Sequence, residues 1–232
     1  EGGRYGVQNM KRLSFLVFFM LFAFKCFAES GVQEKFSNGQ KYLLQLPKGY
    51  NTTERYPLLI AIHWLHGNAS EQFNEWKFIA NKNGYILVSP EFVDGYQKFA
   101  REEDQKLCAV LEDVKRDFSV AESKIFITGF SGGAQFAHRF VFKYPLVCRA
   151  ACIMAAGDYD APPNSKEAKA VKYFVGVGTD DKRLAPTTAF YKKLKAKGYD
   201  VTFKTFPRVG HTLHSSIKQA VSDFLKNVLL SS

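Results

Sequence analysis

The residues with the clearest chemical reading are Gly129-Phe130-Ser131-Gly132-Gly133. A hydroxyl is a weak nucleophile until a base takes its proton and the backbone presents it. A Gly-x-Ser-x-Gly turn does the presenting. The serine sits on a strained bend, and glycines two residues before and after it keep Cβ atoms out of the crowd. Taken alone, the pattern also fits a glycine-rich turn without chemistry. Its flanks make it specific. Residues 124–130 read as a strand, and residues 133–144 read as a helix that stops before Pro145. A helix beginning there points its first amides and positive dipole end at the charge that develops on an attacked carbonyl.

Such a serine needs a base, and the base needs an acid to hold its tautomer. His211 follows Gly210, between the last strand and the last helix, where a loop can lower an imidazole onto the nucleophile. His214 is its rival and falls at the start of that helix. His138 reads as a packed helix histidine and His63 as part of a buried strand. The strand over residues 171–177 ends in Gly178-Thr179-Asp180-Asp181. Asp181 is the expected acid, with Asp180 the alternative, and the order Ser, Asp, His fits a serine nucleophile on a strand–turn–helix. Asp158 and Asp160 read as loop residues. His66-Gly67-Asn68 follows another strand end. Its loop is expected to add a second backbone amide to that of Gly132, with Asn68 as donor. An ordinary turn built on Gly67 is the competing reading.

These groups have to be positioned by regular elements, and the chain alternates them. Strands are expected at 41–46, 57–64, 85–89, 124–130, 150–156, 171–177 and 201–206. Helices are expected at 71–82, 102–118, 133–144, 187–197 and 214–230. In residues 102–118, Leu107, Val110, Leu111, Val114 and Phe118 recur at helical spacing. The run at 57–64 is continuously apolar, as in a strand buried on both faces. Strands alternating with helices imply an α/β fold, a mostly parallel sheet covered on both sides, with chemistry at the carboxyl ends of the strands.

The chain has 232 residues, 22 of them Phe, and a formal net charge of +10. Several of those Phe residues fall early. Met10-Lys11-Arg12 opens a basic start, an apolar run follows to Phe24, and Cys26-Phe27-Ala28 offers small residues for a cut before Glu29. That layout is expected to be a signal peptide at 10–28, behind an upstream extension at 1–9. The apolar run is short for the roughly 20 residues of a membrane span, so no stable membrane anchor is expected. The remainder, 29–232, reads as one domain, secreted or periplasmic. It keeps 28 basic and 21 acidic residues, a charge of +7. No dense Lys/Arg run accompanies that charge, and no nucleic-acid partner is expected. Cys108, Cys148 and Cys152 have no CxxC or Cys/His zinc spacing, and no cofactor or metal is expected. They are either buried thiols or, in an oxidising compartment, one disulfide and one thiol.

From Lys41 onward the chain resembles the α/β-hydrolase superfamily. The resemblance rests on His66-Gly67, on Gly129-Phe130-Ser131-Gly132-Gly133-Ala134-Gln135, on Gly178 to Asp181, and on Val209-Gly210-His211-Thr212. Within it the chain is similar to small secreted esterases related to polyhydroxybutyrate depolymerases, feruloyl esterases and dienelactone hydrolases. The resemblance implies a Ser131–His211–Asp181 triad. It also implies hydrolysis of a small or polymer-linked ester through an acyl-enzyme. A peptidase or amidase with the same triad, and an inactive binding protein on this fold, are the competing readings. The helices before and after the elbow strand commonly lie side by side in this fold, which makes Cys108 and Cys148 the candidate disulfide pair. Two features depart from the family pattern. His63 and Trp64 stand where aliphatic residues are expected, and residues 157–170 leave little or no room for a lid domain.

Overall fold

A computed structural model describes residues 31–231; the leader and extension expected at 1–28 lie outside the described residues. The strands are β1 Val32–Ser37, β2 Gln40–Gln45, β3 Tyr56–Ile62, β4 Ile86–Pro90, β5 Val120–Phe130, β6 Ala150–Met154, β7 Lys172–Gly178 and β8 Val201–Phe206. The helices are α1 Ala69–Asn83, α2 Glu103–Asp117, α3 Gly132–Lys143, α4 Lys166–Ala170, α5 Leu184–Ala196 and α6 Ser215–Leu230. A 3-10 turn, Tyr96–Lys98, lies between β4 and α2.

The strands form one sheet in the order β1-β2-β4-β3-β5-β6-β7-β8. β3 to β8 are parallel to their neighbours, while β1 pairs with β2, and β2 with β4, antiparallel. The pleat explains the layers. Successive side chains of β3 point to opposite faces. Leu58, Ile60 and Ile62 pack in one core with Val110, Val114, Phe136, Phe140 and Phe190 from α2, α3 and α5. Leu59 and Ala61 pack in the other with Phe73, Trp76, Val221 and Leu225 from α1 and α6. Burying one such side chain fully stabilises the fold by roughly 1.5–3 kcal/mol, so neither face of the sheet can be left bare.

β1 and α4 were not anticipated. β1 has alternating exposed and half-buried residues, the mark of an edge strand, and turns into β2 through Asn38 (φ 46°) and Gly39 (φ 78°). Both central residues are left-handed, as a type I′ hairpin requires. α5 begins before the expected residue 187 because Pro186 sits in its first turn, where its missing N–H costs nothing. It ends where the amides of Gly198 (φ 79°) and Tyr199 bond the carbonyls of Lys195 and Leu194. Between β6 and β7 the only helix is the short α4.

The chain crosses from β4 over β3 to β5. At that reversal the loops leaving β3 and β5 diverge and open a crevice at the strand ends.

Candidate active site

Ser131 stands at the mouth of this crevice, between β5 and α3. Its backbone (φ 53°, ψ −117°) is one that residues with a Cβ rarely adopt, at a cost of order 1–3 kcal/mol. Its N–H is held by the Met154 carbonyl at 2.9 Å, and its carbonyl accepts from Ala134 and Gln135, which starts α3. The neighbouring glycines are dictated by contact. A Cβ on Gly129 would lie 2.2 Å from the Gly133 carbonyl oxygen, and one on Gly133 would lie 2.2 Å from that of Ile62.

The ends of β7 and β8 are tied together. Thr179 N–H donates to Phe206, Asp180 N–H donates to Val209, and Arg208 N–H donates to the Thr179 hydroxyl. A Cβ on Gly178 would fall 1.9 Å from the Val209 oxygen, so only glycine lets these loops meet. The result aligns three side chains. Asp181, 5% exposed, accepts the Arg183 N–H on Oδ1 at 2.8 Å. Its Oδ2 lies 2.8 Å from Nδ1 of His211, and Nε2 of His211 lies 3.0 Å from Ser131 Oγ. A carboxylate only accepts, so the imidazole proton sits on Nδ1 and leaves Nε2 to receive the serine proton. Phe130 packs against the ring at 4.7 Å between centroids. Asp180 is exposed, and among the described residues its carboxylate takes only the Thr179 hydroxyl. His214 caps α6, its Nδ1 accepting the Ser216 N–H.

The three atoms nearest a Cβ on Gly132 belong to Leu65 and Gln97, none to Asn68. Asn68 is the N-cap of α1, its side-chain oxygen accepting the Glu71 N–H at 2.9 Å. The neighbouring amide belongs to Leu65: a Cβ on Gly132 would come 2.7 Å from its nitrogen. β3 ends at Ile62, earlier than the expected strand, so the turn falls on Trp64–Gly67, closed by Gly67 N–H to Trp64 O with His66 at φ 63°. Leu65 was missed because a backbone amide leaves no trace in residue type. The only signal available was the polar His63 at the strand's end.

Trp64, Leu65, Phe130 and Leu213 wall a cleft of about 320 Å³ around Ser131 and His211. Glu75 also lines it and pairs with Lys218 at 2.5 Å. His138 is fully buried, its Nδ1 on the Ala134 carbonyl and its Nε2 accepting from Asp160 N–H, and burial pushes its pKa down to about 4. Asp158 and Asp160 pair with Arg139, each at 2.9 Å. Cys108 and Cys148 are not joined; these two and Cys152 are free thiols, and burial raises the pKa of each. Among the described residues no group of His, Cys, Asp and Glu is arranged to hold a metal ion. No helix among them is long and apolar enough to cross a membrane.

The fold is that of the α/β-hydrolases. Residues 92–229 match the family described as Phospholipase/Carboxylesterase, and the chain belongs to that family. A probable feruloyl esterase C of Aspergillus terreus is 26% identical over 136 residues, covering 55% of this chain and 50% of that relative. The chain spans about half the length of the curated relatives it matches. Among solved structures, a poly(aspartic acid) hydrolase-1 of a Sphingomonas species superposes with a TM-score of 0.71 at 19% identity, over 86% of this chain and 100% of that one. The feruloyl esterase module of Clostridium thermocellum, complexed with sinapinate, does so with a TM-score of 0.67 at 18% identity, over 84% and 86%.

Proposed function

We propose that the protein is a carboxylic ester hydrolase working through Ser131, His211 and Asp181. The observation that carries this reading is the unbroken line of contacts, 2.8 Å from Asp181 to His211 and 3.0 Å from His211 to Ser131. His211 Nε2 takes the hydroxyl proton as Oγ attacks the ester carbonyl. The tetrahedral oxyanion is received by the amides of Gly132 and Leu65. Collapse expels the alcohol, protonated by His211, and leaves an acyl-enzyme. Water, activated by the same imidazole, releases the acid and restores Ser131. Asp181 stays ionised throughout and offsets the imidazolium charge.

The substrate is a small or polymer-linked ester. The aromatic wall of Trp64 and Phe130 and the feruloyl esterases among the relatives favour an aromatic acyl group. Residues 10–28 act as an export signal and 29–232 as the exported domain, so the site works outside the cytoplasm. N-terminal sequencing of exported protein should begin at Glu29.

The test is hydrolysis of p-nitrophenyl acetate and butyrate by the purified protein beside Ser131→Ala. Wild type should turn over with a burst of p-nitrophenol equal to the enzyme present, and the alanine variant should give background only. Equal rates for the two would refute the reading.

A further inference from the structure

His63 closes β3 where an aliphatic residue would serve the core, and it is fully buried between Phe92 and Tyr96. A buried imidazole is costly unless both ring nitrogens are bonded. Both are. Nε2 accepts the Phe92 N–H at 3.1 Å, which places the ring proton on Nδ1, and Nδ1 donates to the Trp64 carbonyl at 2.8 Å. The Tyr96 hydroxyl donates to the carbonyl of His63 itself. None of these contacts involves Ser131, His211 or Asp181.

The Trp64 carbonyl is one end of the peptide unit whose other end is the Leu65 N–H. That unit is planar and trans, so the direction of the carbonyl sets the opposite direction of the N–H. Gly67 N–H holds the same carbonyl from the loop side at 3.0 Å, and His63 holds it from the sheet side. Outside, Asp94 clamps the turn by accepting His66 N–H at 3.2 Å and His66 Nδ1 at 2.8 Å. The Leu65 N–H itself has no hydrogen-bond partner among the described residues and lies beside Gly132. A free amide in a plane held by two bonds to its carbonyl, within a turn clamped by Asp94, is what stabilising a developing oxyanion demands, because little reorganisation is left for the moment of reaction.

We propose that His63 is a positioning residue: through its Nδ1–H on the Trp64 carbonyl it aims the Leu65 amide at the oxyanion. This rests on the ester hydrolase reading. An oxyanion donor acts mainly on charge formed in the transition state, so the effect belongs in kcat rather than KM.

The experiment compares His63→Gln with His63→Asn. Glutamine carries its amide to the position of Nε2 and loses the donor to Trp64, whereas asparagine carries its amide to the position of Nδ1 and retains it. Rates are expressed per active site titrated with a fluorophosphonate, which removes any unfolded fraction. His63→Gln should lose about 10- to 100-fold in kcat, with KM within about threefold of wild type. His63→Asn should recover most of that loss, although both variants melt earlier. Wild-type kcat in His63→Gln, or equal losses in the two variants, would overturn the proposal and leave His63 a structural residue. If His63→Gln yields no folded enzyme, Tyr96→Phe frees the His63 carbonyl instead, and kcat should fall about three- to tenfold at unchanged KM; wild-type kcat there would overturn it equally. If wild type is no faster than Ser131→Ala, the ester hydrolase reading fails first, and the His63 role with it.

Discussion

Replacing Asp181 by Asn changes one atom of the site, and the surrounding bonds decide the outcome. Asp181 receives two N–H donors, that of Arg183 on Oδ1 and that of His211 on Oδ2. An asparagine side chain has one acceptor and one donor end. If its oxygen serves Arg183, its NH2 faces Nδ1 of His211, and only the tautomer protonated on Nε2 can accept from it. That proton then points at Ser131 Oγ, 3.0 Å away, and the base is lost. If the amide flips, its NH2 meets the Arg183 N–H in a buried place, at about 1–3 kcal/mol for the unmet donors. The first arrangement is favoured. The expected loss is about 10⁴-fold in kcat, about 5–6 kcal/mol of transition-state stabilisation, with the fold intact. Steady-state hydrolysis of p-nitrophenyl acetate, with near-UV circular dichroism as the folding control, measures it. Asp180→Asn is the companion: its exposed carboxylate accepts only the Thr179 hydroxyl among the described residues, and the variant should stay within about twofold of wild type. Asp181→Asn within tenfold of wild type, or a larger loss at Asp180, would refute the reasoning.

Gly178→Ala should lower the melting temperature and cut activity more than about 100-fold, because its Cβ would displace the Val209 carbonyl that holds the His211 loop; thermal melts and kcat check both effects. His138 folds neutral, since burial brings its pKa from 6.5 to about 4. The unfolded chain binds a proton that the folded chain refuses, so the stability from this group is whole above about pH 6.5 and falls as the pH drops towards 4, by about 3 kcal/mol. Urea unfolding at a series of pH values should show that slope, and His138→Gln should flatten it; an unchanged slope in the variant would remove His138 as the cause. Denatured, unreduced protein from residue 29 onward should give three free thiols with Ellman's reagent, matching free Cys108, Cys148 and Cys152. A count of one would mean that two of them pair on export.

Local patterns carried the α/β architecture because each pattern has a local cause. The apolar run of β3 requires cover on both faces, and Gly198 stops α5 through a left-handed turn. The glycines around Ser131 announce a crowded bend before its neighbours are known. The edge strand β1 is harder to read: its apolar residues Val32 and Phe36 lie on the exposed face, so no apolar alternation points towards a core. Other features depend on groups far apart in the chain. Asp180 and Asp181 are adjacent and chemically alike, and only the packing of β7 against β8 turns Asp181 inward to His211, 30 residues on. Whether Asn68 or Leu65 offers its amide beside Gly132 depends on where β3 stops. That is set by the meeting of Trp64, Phe92 and Tyr96 around the buried ring of His63, contacts that no run of neighbouring residues encodes.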